Sequence, residues 1–271
     1  MNSLKIEEQL KNEPNHKVRN FLITFVVILV LVWASDVLKY NGLTKQGQII
    51  AQGIIKGILH PNTEILFSLK DVGIAWLIVE TLAIAFLGTI LGSIVSLPLA
   101  FLASKNIVPK WLTHLVMCGI IMIRTIPVFI LGLMWIRVTG PGAFCGVMTM
   151  TISSIGMVSK LFIEFIEDID NGVIEFLDSS GATKYQKVVY GIIPQLSSNF
   201  ISTAIYRFEI NIKNAAVLGL VGAGGIGYPL ISAIQNNRWS DAGAYLFGLV
   251  ILVILVEIFS TKIRKKLAYG E

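Results

Sequence analysis

Apolar runs about as long as a bilayer is thick recur along this chain, separated by short polar joints, and nothing else in the sequence limits the fold so strongly. The runs fall at residues 20–35, 74–103, 111–136, 143–163, 192–220 and 242–263. A hydrocarbon core of about 30 Å takes ~20 helical residues. A transmembrane barrel would show ~10-residue segments of alternating polarity, and the chain has no such alternation. The expectation is an all-α polytopic membrane helix bundle with six transmembrane helices. Charged residues make up 14% of the 271 positions, against about 25% in a soluble domain.

The net charge of +5 would suit nucleic acid in a soluble chain. Here the basic residues flank apolar runs and read as orientation signals, so no nucleic-acid partner is expected. Lys5, Lys11, Lys17 and Arg19 precede the first run, and Lys105 and Lys110 follow the second. Lys160, Lys184 and Lys187 follow the fourth, and Lys262, Arg264, Lys265 and Lys266 close the chain. Six spans with both termini in the cytoplasm put all four groups inside. Lys39, Lys45, Lys56 and Lys70 in the 36–73 loop are then exceptions, offset by Asp36, Glu64 and Asp71.

Residues 1–19 read as a surface helix or a disordered tail. The first run mimics a signal peptide, with Val32-Trp33-Ala34 a passable cleavage site, but Glu7, Glu8 and Glu13 ahead of it disfavour that reading. In the loop, Ile49, Ile50, Ile54, Ile55, Ile58 and Leu59 recur at near-helical spacing. This fits a helix lying in the membrane interface, or one packed on the protein's own surface. The chain thus divides into residues 1–73, comprising the tail, first span and outer loop, and a transmembrane domain at 74–265 with a cytoplasmic loop at 164–195.

Gly88, Gly92, Ser96 and Ala100 put small residues on one face of the second span, as close helix packing requires, and Pro98 predicts a kink near its end. Cys118 and Cys145 lie in apolar segments and suggest packing, not disulfides. His16, His60 and His114 are too far apart for a metal site. Arg124, Arg207, Glu209 and Lys213 lie inside apolar runs, where each costs at least ~2.5 kcal/mol, and should face the bundle interior. Either Arg124 or Lys213 helps an anion across, or Arg207 or Lys213 pairs with Glu209 and ties helices together.

The segment EFLDSSGATKYQKVVYGIIPQ, residues 175–195, predicts two short helices. One spans about 173–180 and ends on Gly181 in the left-handed conformation. Thr183 caps the next, which ends before Pro194. The pair would suit a lever against a partner protein, and an ordinary solvated loop is the plainer reading. Gly222, Gly224 and Gly227 spell G-x-G-x-x-G with Asp241 downstream, a dinucleotide fingerprint that needs a βαβ unit. Between membrane spans and followed by Pro229, it reads instead as a glycine-rich break covered by protein or a water-filled cavity.

Residues 175–195 also resemble the EAA loop of ABC importer permeases: Glu175, Gly181 and Pro194 stand at its spacing, although Phe176 and Leu177 replace its two small residues. ETLAIAFLGTILGSIVSLPLAFLASKN (80–106), RTIPVF (124–129) and FEINIKNAAVLGLVGAGGIG (208–227) resemble the phosphonate-transporter permeases in particular. The resemblance implies a type I ABC importer permease fold in the cell membrane of a prokaryote. It implies a homodimer with a shared central pathway, two cytoplasmic ATPase subunits and an extracytoplasmic solute-binding protein. Glu175, Gly181, Ala182 and Pro194 would couple to the ATPase. Arg124, Asn214, Gly222, Gly224, Gly225 and Gly227 would line the substrate pathway. The chain has no G-x-x-x-x-G-K-[ST] loop, so ATP and Mg would belong to the partner ATPase, with no cofactor or metal in this chain and no enzyme activity of its own. The implied solute is phosphonate, or a related phosphite or phosphate, with methionine or another small solute as the alternative. A secondary transporter would need an ion site, for which Glu80 and Glu209 are the candidates.

Overall fold

The structure, a computed structural model, describes residues 17–35, 44–68 and 73–269. The expectation for residues 1–16 lies outside the described residues. The chain forms two compact units, 1–49 and 50–271. In the first unit, α1 (Lys17–Ser35) is a helix of 19 residues, apolar from Phe21 to Ala34 apart from Thr24. The unit boundary falls inside α2 (Lys45–Leu59), so the rest of that helix and α3 (Thr63–Phe67) belong with the bundle and not with the tail.

The regular structure of the second unit, among its described residues, is all helical. After α3 come α4 (Ile74–Ala103), α5 (Lys110–Thr125), α6 (Val128–Thr139), α7 (Ala143–Glu167), α8 (Asn171–Ser179), α9 (Lys184–Gln186), a π-helical segment (Lys187–Ile192), α10 (Ile193–Leu218), a 3₁₀ turn (Gly219–Val221), α11 (Gly227–Gln235) and α12 (Trp239–Tyr269).

The α4–α7 pair forms the centre. Helices in lipid gain little from the hydrophobic effect and associate through close packing and interhelical hydrogen bonds. The small face of α4 supplies both. A methyl group on Gly88 would lie 2.5 Å from Met150 Cβ, and one on Gly92 2.5 Å from Ser154 Cβ. Ser96 Oγ–H reaches Gly92 O at 2.7 Å and Ile155 O at 3.3 Å. The two helices end at one level, where the Lys105 N–H donates to Glu167 Oε1 at 3.0 Å. α4 runs on as helix past Pro98 to Ala103.

The span expected at 111–136 is not one helix: α5 and α6 meet at 88°. Pro127 has no N–H, and it holds Ile126 extended, at φ −82° and ψ 117°. The expected fifth span exists as α10, 26 residues long. Among the described residues, α1, α4, α7 and α12 are long and apolar enough to cross a membrane, and the α5–α6 pair is a fifth candidate. α10 is less apolar, since it carries Arg207, Glu209 and Lys213 with several serines and asparagines, and Arg207, Glu209 and Asn211 of these are buried.

In α2 the isoleucines are exposed and the contact is made by glycine. A methyl on Gly53 would lie 2.6 Å from the Trp239 ring, and one on Gly243 2.0 Å from Gly57 O. Asn62 secures the same corner, accepting from the Glu64 N–H at 3.0 Å and donating to Asp241 Oδ1 at 2.8 Å.

Candidate functional site

A polar belt crosses the bundle between two apolar clusters. Phe162, Ile166, Ile192 and Leu196 belong to one, and Ile84, Met150, Ile212 and Leu218 to the other. Helical spacing sets Thr89 of α4, Ser154 of α7, and Arg207 and Asn211 of α10 between them. Asn211 donates to Thr89 Oγ1 at 2.9 Å and to Ser154 Oγ at 3.0 Å, joining three helices. Arg207, 4% exposed, donates from Nε to Ser154 Oγ at 2.9 Å, from Nη2 to Ser153 Oγ at 2.7 Å and from Nη1 to the Met157 sulfur at 3.1 Å.

Of the two cations weighed as partners of Glu209, Lys213 is the one that pairs, at 2.9 Å. Arg264 of α12 joins it at 3.1 Å, and Ser260 Oγ–H donates to the same carboxylate at 3.0 Å. Arg264 also lies 5.4 Å from the Tyr206 ring centre. This network ties α10 to α12. In the sequence Arg264 signals only orientation, because its partner is 55 positions away.

Arg124 departs from expectation. It is exposed within the protomer, at the last full turn of α5 beside the bend. Among the described residues it makes no ion pair. Its stem rests on α7, where a methyl on Gly156 would lie 2.8 Å from Arg124 Cγ. From Lys110 to Arg124 the helix rises ~21 Å, which sets this guanidinium well inside the bilayer if Lys110 lies at its edge.

The glycine-rich stretch breaks the helix as expected and follows α10 and the 3₁₀ turn, not a strand. Gly222, Gly224 and Gly225 have φ of 73°, 80° and 66°, which side chains rarely adopt. The corner is tightly packed. The Ile226 N–H donates to Thr81 Oγ1 at 2.9 Å, and the Gly142 N–H to Gly222 O at 2.8 Å. A methyl on Gly224 would lie 3.0 Å from Glu80 Oε1, and one on Gly227 2.5 Å from Ala215 O. Of the expected pathway set, Arg124, Asn214, Gly222 and Gly224 reach the protomer surface, whereas Gly225 and Gly227 are buried.

In the 164–195 loop, Asp170 caps α8, accepting the Gly172 N–H at 2.9 Å. Gly181, at φ 74°, ends the turn after α8, with Ala182 N–H to Leu177 O and Gly181 N–H to Asp178 O both at 3.0 Å. This is a Schellman termination. Thr183 and Gln186 cap each other: Thr183 N–H to Gln186 Oε1 at 2.8 Å and Gln186 N–H to Thr183 Oγ1 at 3.3 Å. Pro194, however, does not end the second helix. A proline ring collides with the carbonyl four residues back in a regular α-helix. Here the π segment opens the turn and carries the chain into α10, with Pro194 in its first turn. Lys187 pairs with Asp178, and a methyl on Gly191 would lie 2.7 Å from Leu177 Cδ1. Glu175, Phe176, Tyr185 and Tyr190 are exposed on the loop.

Residues 88–268 match the family described as binding-protein-dependent transport system inner membrane component. The chain is 34% identical over 193 residues to the phosphite transport system permease protein PtxC of Stutzerimonas stutzeri, covering 69% of each. It is 31% identical over 238 residues to the phosphate-import permease protein PhnE of Mycolicibacterium smegmatis, covering 88% of this chain and 43% of that one. Among solved structures, a chain of the inward-facing MetNI methionine ABC transporter superposes with a TM-score of 0.62 at 26% identity, over 71% of this chain and 96% of that one.

Proposed function

The chain belongs to the binding-protein-dependent transport system inner membrane component family, as a multi-pass permease of the ABC importer class, and from that premise we propose that it conducts a small phosphorus oxyanion. Phosphonate, phosphite and phosphate are the candidates. The observation that carries the reading is Arg124: a guanidinium within the candidate span formed by α5 and α6, exposed on the protomer and without an ion pair among the described residues. An unpaired charge at that depth is costly unless it faces a wet cavity or a partner. A tetrahedral oxyanion suits it, because guanidinium N–H groups match phosphorus oxygens in a two-pronged contact. The names of the relatives at 31% and 34% identity point the same way.

In this reading two copies of the chain enclose the pathway, with Arg124, Asn214, Gly222 and Gly224 along it and Gly225 and Gly227 holding its outer corner closed. Both termini are cytoplasmic. An extracytoplasmic binding protein delivers the solute, and two ATPase subunits carry ATP and Mg; this chain needs no cofactor of its own. The loop bearing Glu175, Gly181, Ala182 and Pro194 docks on the ATPase. The ion pair from Lys187 to Asp178 and the helix continuing through Pro194 make α8, the π segment and α10 one lever, so loop movement reaches the polar belt.

Uptake of labelled solutes by cells with and without this chain tests the proposal. Chain-dependent uptake of phosphite, methylphosphonate or phosphate is expected. Chain-dependent methionine uptake with none of the three would overturn it.

A further inference from the structure

Arg207 is more than a strut between helices. Its three acceptors are neutral, and one of them, the Met157 sulfur, is weak. A guanidinium has more N–H groups than these contacts use. Glu209, two residues on, is committed to Lys213 and Arg264. Glu164, farther along α7, is committed to Lys160. Among the described residues Arg207 therefore has no counter-charge. Packing gives no reason for the charge, since Asn211 already joins α4, α7 and α10 as a neutral residue.

Arg124 comes to the same strip of α7 from another direction. Its contact, Gly156, is one turn from Ser153, about 5 Å along the helix, and adjoins Met157. The stem of Arg124 and the guanidinium of Arg207 thus meet neighbouring positions of α7. Ser153 and Met157 on that turn are partly exposed. Ser153 Oγ accepts from Arg207, which leaves its own hydrogen to donate. An anion held between the two side chains would favour the charged form of both.

We propose that Arg207, Ser153 and Arg124 form a transit site for a tetrahedral phosphorus oxyanion midway along the bundle. Arg124 meets the ion on the exposed side. Ser153 donates its hydroxyl, and Arg207 supplies its spare N–H groups. Between ions, the serines and Met157 hold Arg207 in place, so release costs little. The inference rests on the oxyanion reading of function.

The test uses the complete transporter, with ATPase and binding protein, in vesicles supplied with labelled phosphite. Arg207→Gln and Arg124→Gln should each lower uptake about tenfold or more, the scale of a lost charge-assisted hydrogen bond. Ser153→Ala should lower it severalfold, and Arg207→Lys should restore part of the loss in Arg207→Gln. A second readout separates a site from a strut. With Cys118 and Cys145 replaced by serine, Ser153→Cys should react faster with an anionic than with a cationic thiosulfonate, and phosphite should slow that reaction. Adding Arg207→Gln should weaken the preference for the anion. The proposal is overturned if the wild type takes up phosphite while Arg207→Gln and Ser153→Ala match its rate, or if Ser153→Cys shows no charge preference. If Arg207→Gln fails to assemble, Ser153→Ala uptake and the labelling ratio decide. A wild type that takes up no phosphite, methylphosphonate or phosphate instead removes the oxyanion reading itself.

Discussion

At the scale of single residues, what lies within reach of a new atom decides whether a substitution matters. A side chain on Gly92 would run into Ser154 Cβ at 2.5 Å and Thr151 O at 2.9 Å, backbone and near-backbone atoms that cannot swing away. Gly92→Val should therefore destabilise the protein by about 1–3 kcal/mol, the usual cost of overpacking, read as a lower thermal midpoint in detergent. Gly119 has nothing within 4 Å of its would-be methyl. Gly119→Ala should leave the midpoint unchanged or raise it slightly, by up to about 1 kcal/mol from the lower entropy of alanine in a helix. Equal losses from the two variants would contradict the α4–α7 contact. At Glu209 the expected effect is electrostatic. Glu209→Gln leaves Lys213 and Arg264 without their shared charge and should lower the midpoint. The loss should stay below the ~3–5 kcal/mol of a fully buried pair, because the Lys213 side chain is 45% exposed.

At the scale of elements, local signals were legible in the sequence and tertiary ones were not. Gly181 and Thr183 announce a helix end and a helix start through their own chemistry, and both stand where the spacing places them. Pro194 reads as a stop in the sequence, but a π turn, with Gly191 closing onto Leu177, accommodates it. Pro127 signals a disturbed span, but the 88° bend depends on what α6 packs against. The Gly53–Gly57 face of α2 was hidden by the more obvious isoleucines. Two outcomes follow for the loop. Thr183→Val removes the reciprocal cap, worth about 1 kcal/mol, and should speed amide exchange at Gln186 while leaving α7 protected. Gly181→Val forces a β-branched residue to φ 74° in otherwise open space, a strain of about 1–3 kcal/mol. The protein should still reach the membrane but hold less ATPase on co-purification; wild-type ATPase recovery together with wild-type transport would contradict the coupling role.

For the whole molecule, the apolar runs and the family motifs were enough to give a helical membrane permease, because bilayer thickness leaves few other structures for such a chain. They were not enough to sort the intramembrane charges. Arg207, Glu209 and Lys213 lie close in sequence yet join separate networks, one with the serines of α7 and one with Arg264 of α12. That separation leaves Arg207 without a counter-charge among the described residues, and the proposed anion site draws on it together with Arg124. Purified transporter in vesicles, loaded with ATP on the ATPase side and given labelled phosphite or methionine with the binding protein, tests this most directly. ATP-dependent accumulation of phosphite that falls at least severalfold with Arg124→Gln is expected. Accumulation of methionine with none of phosphite, methylphosphonate or phosphate, or phosphite accumulation indifferent to both Arg124→Gln and Arg207→Gln, would contradict an oxyanion pathway through this chain.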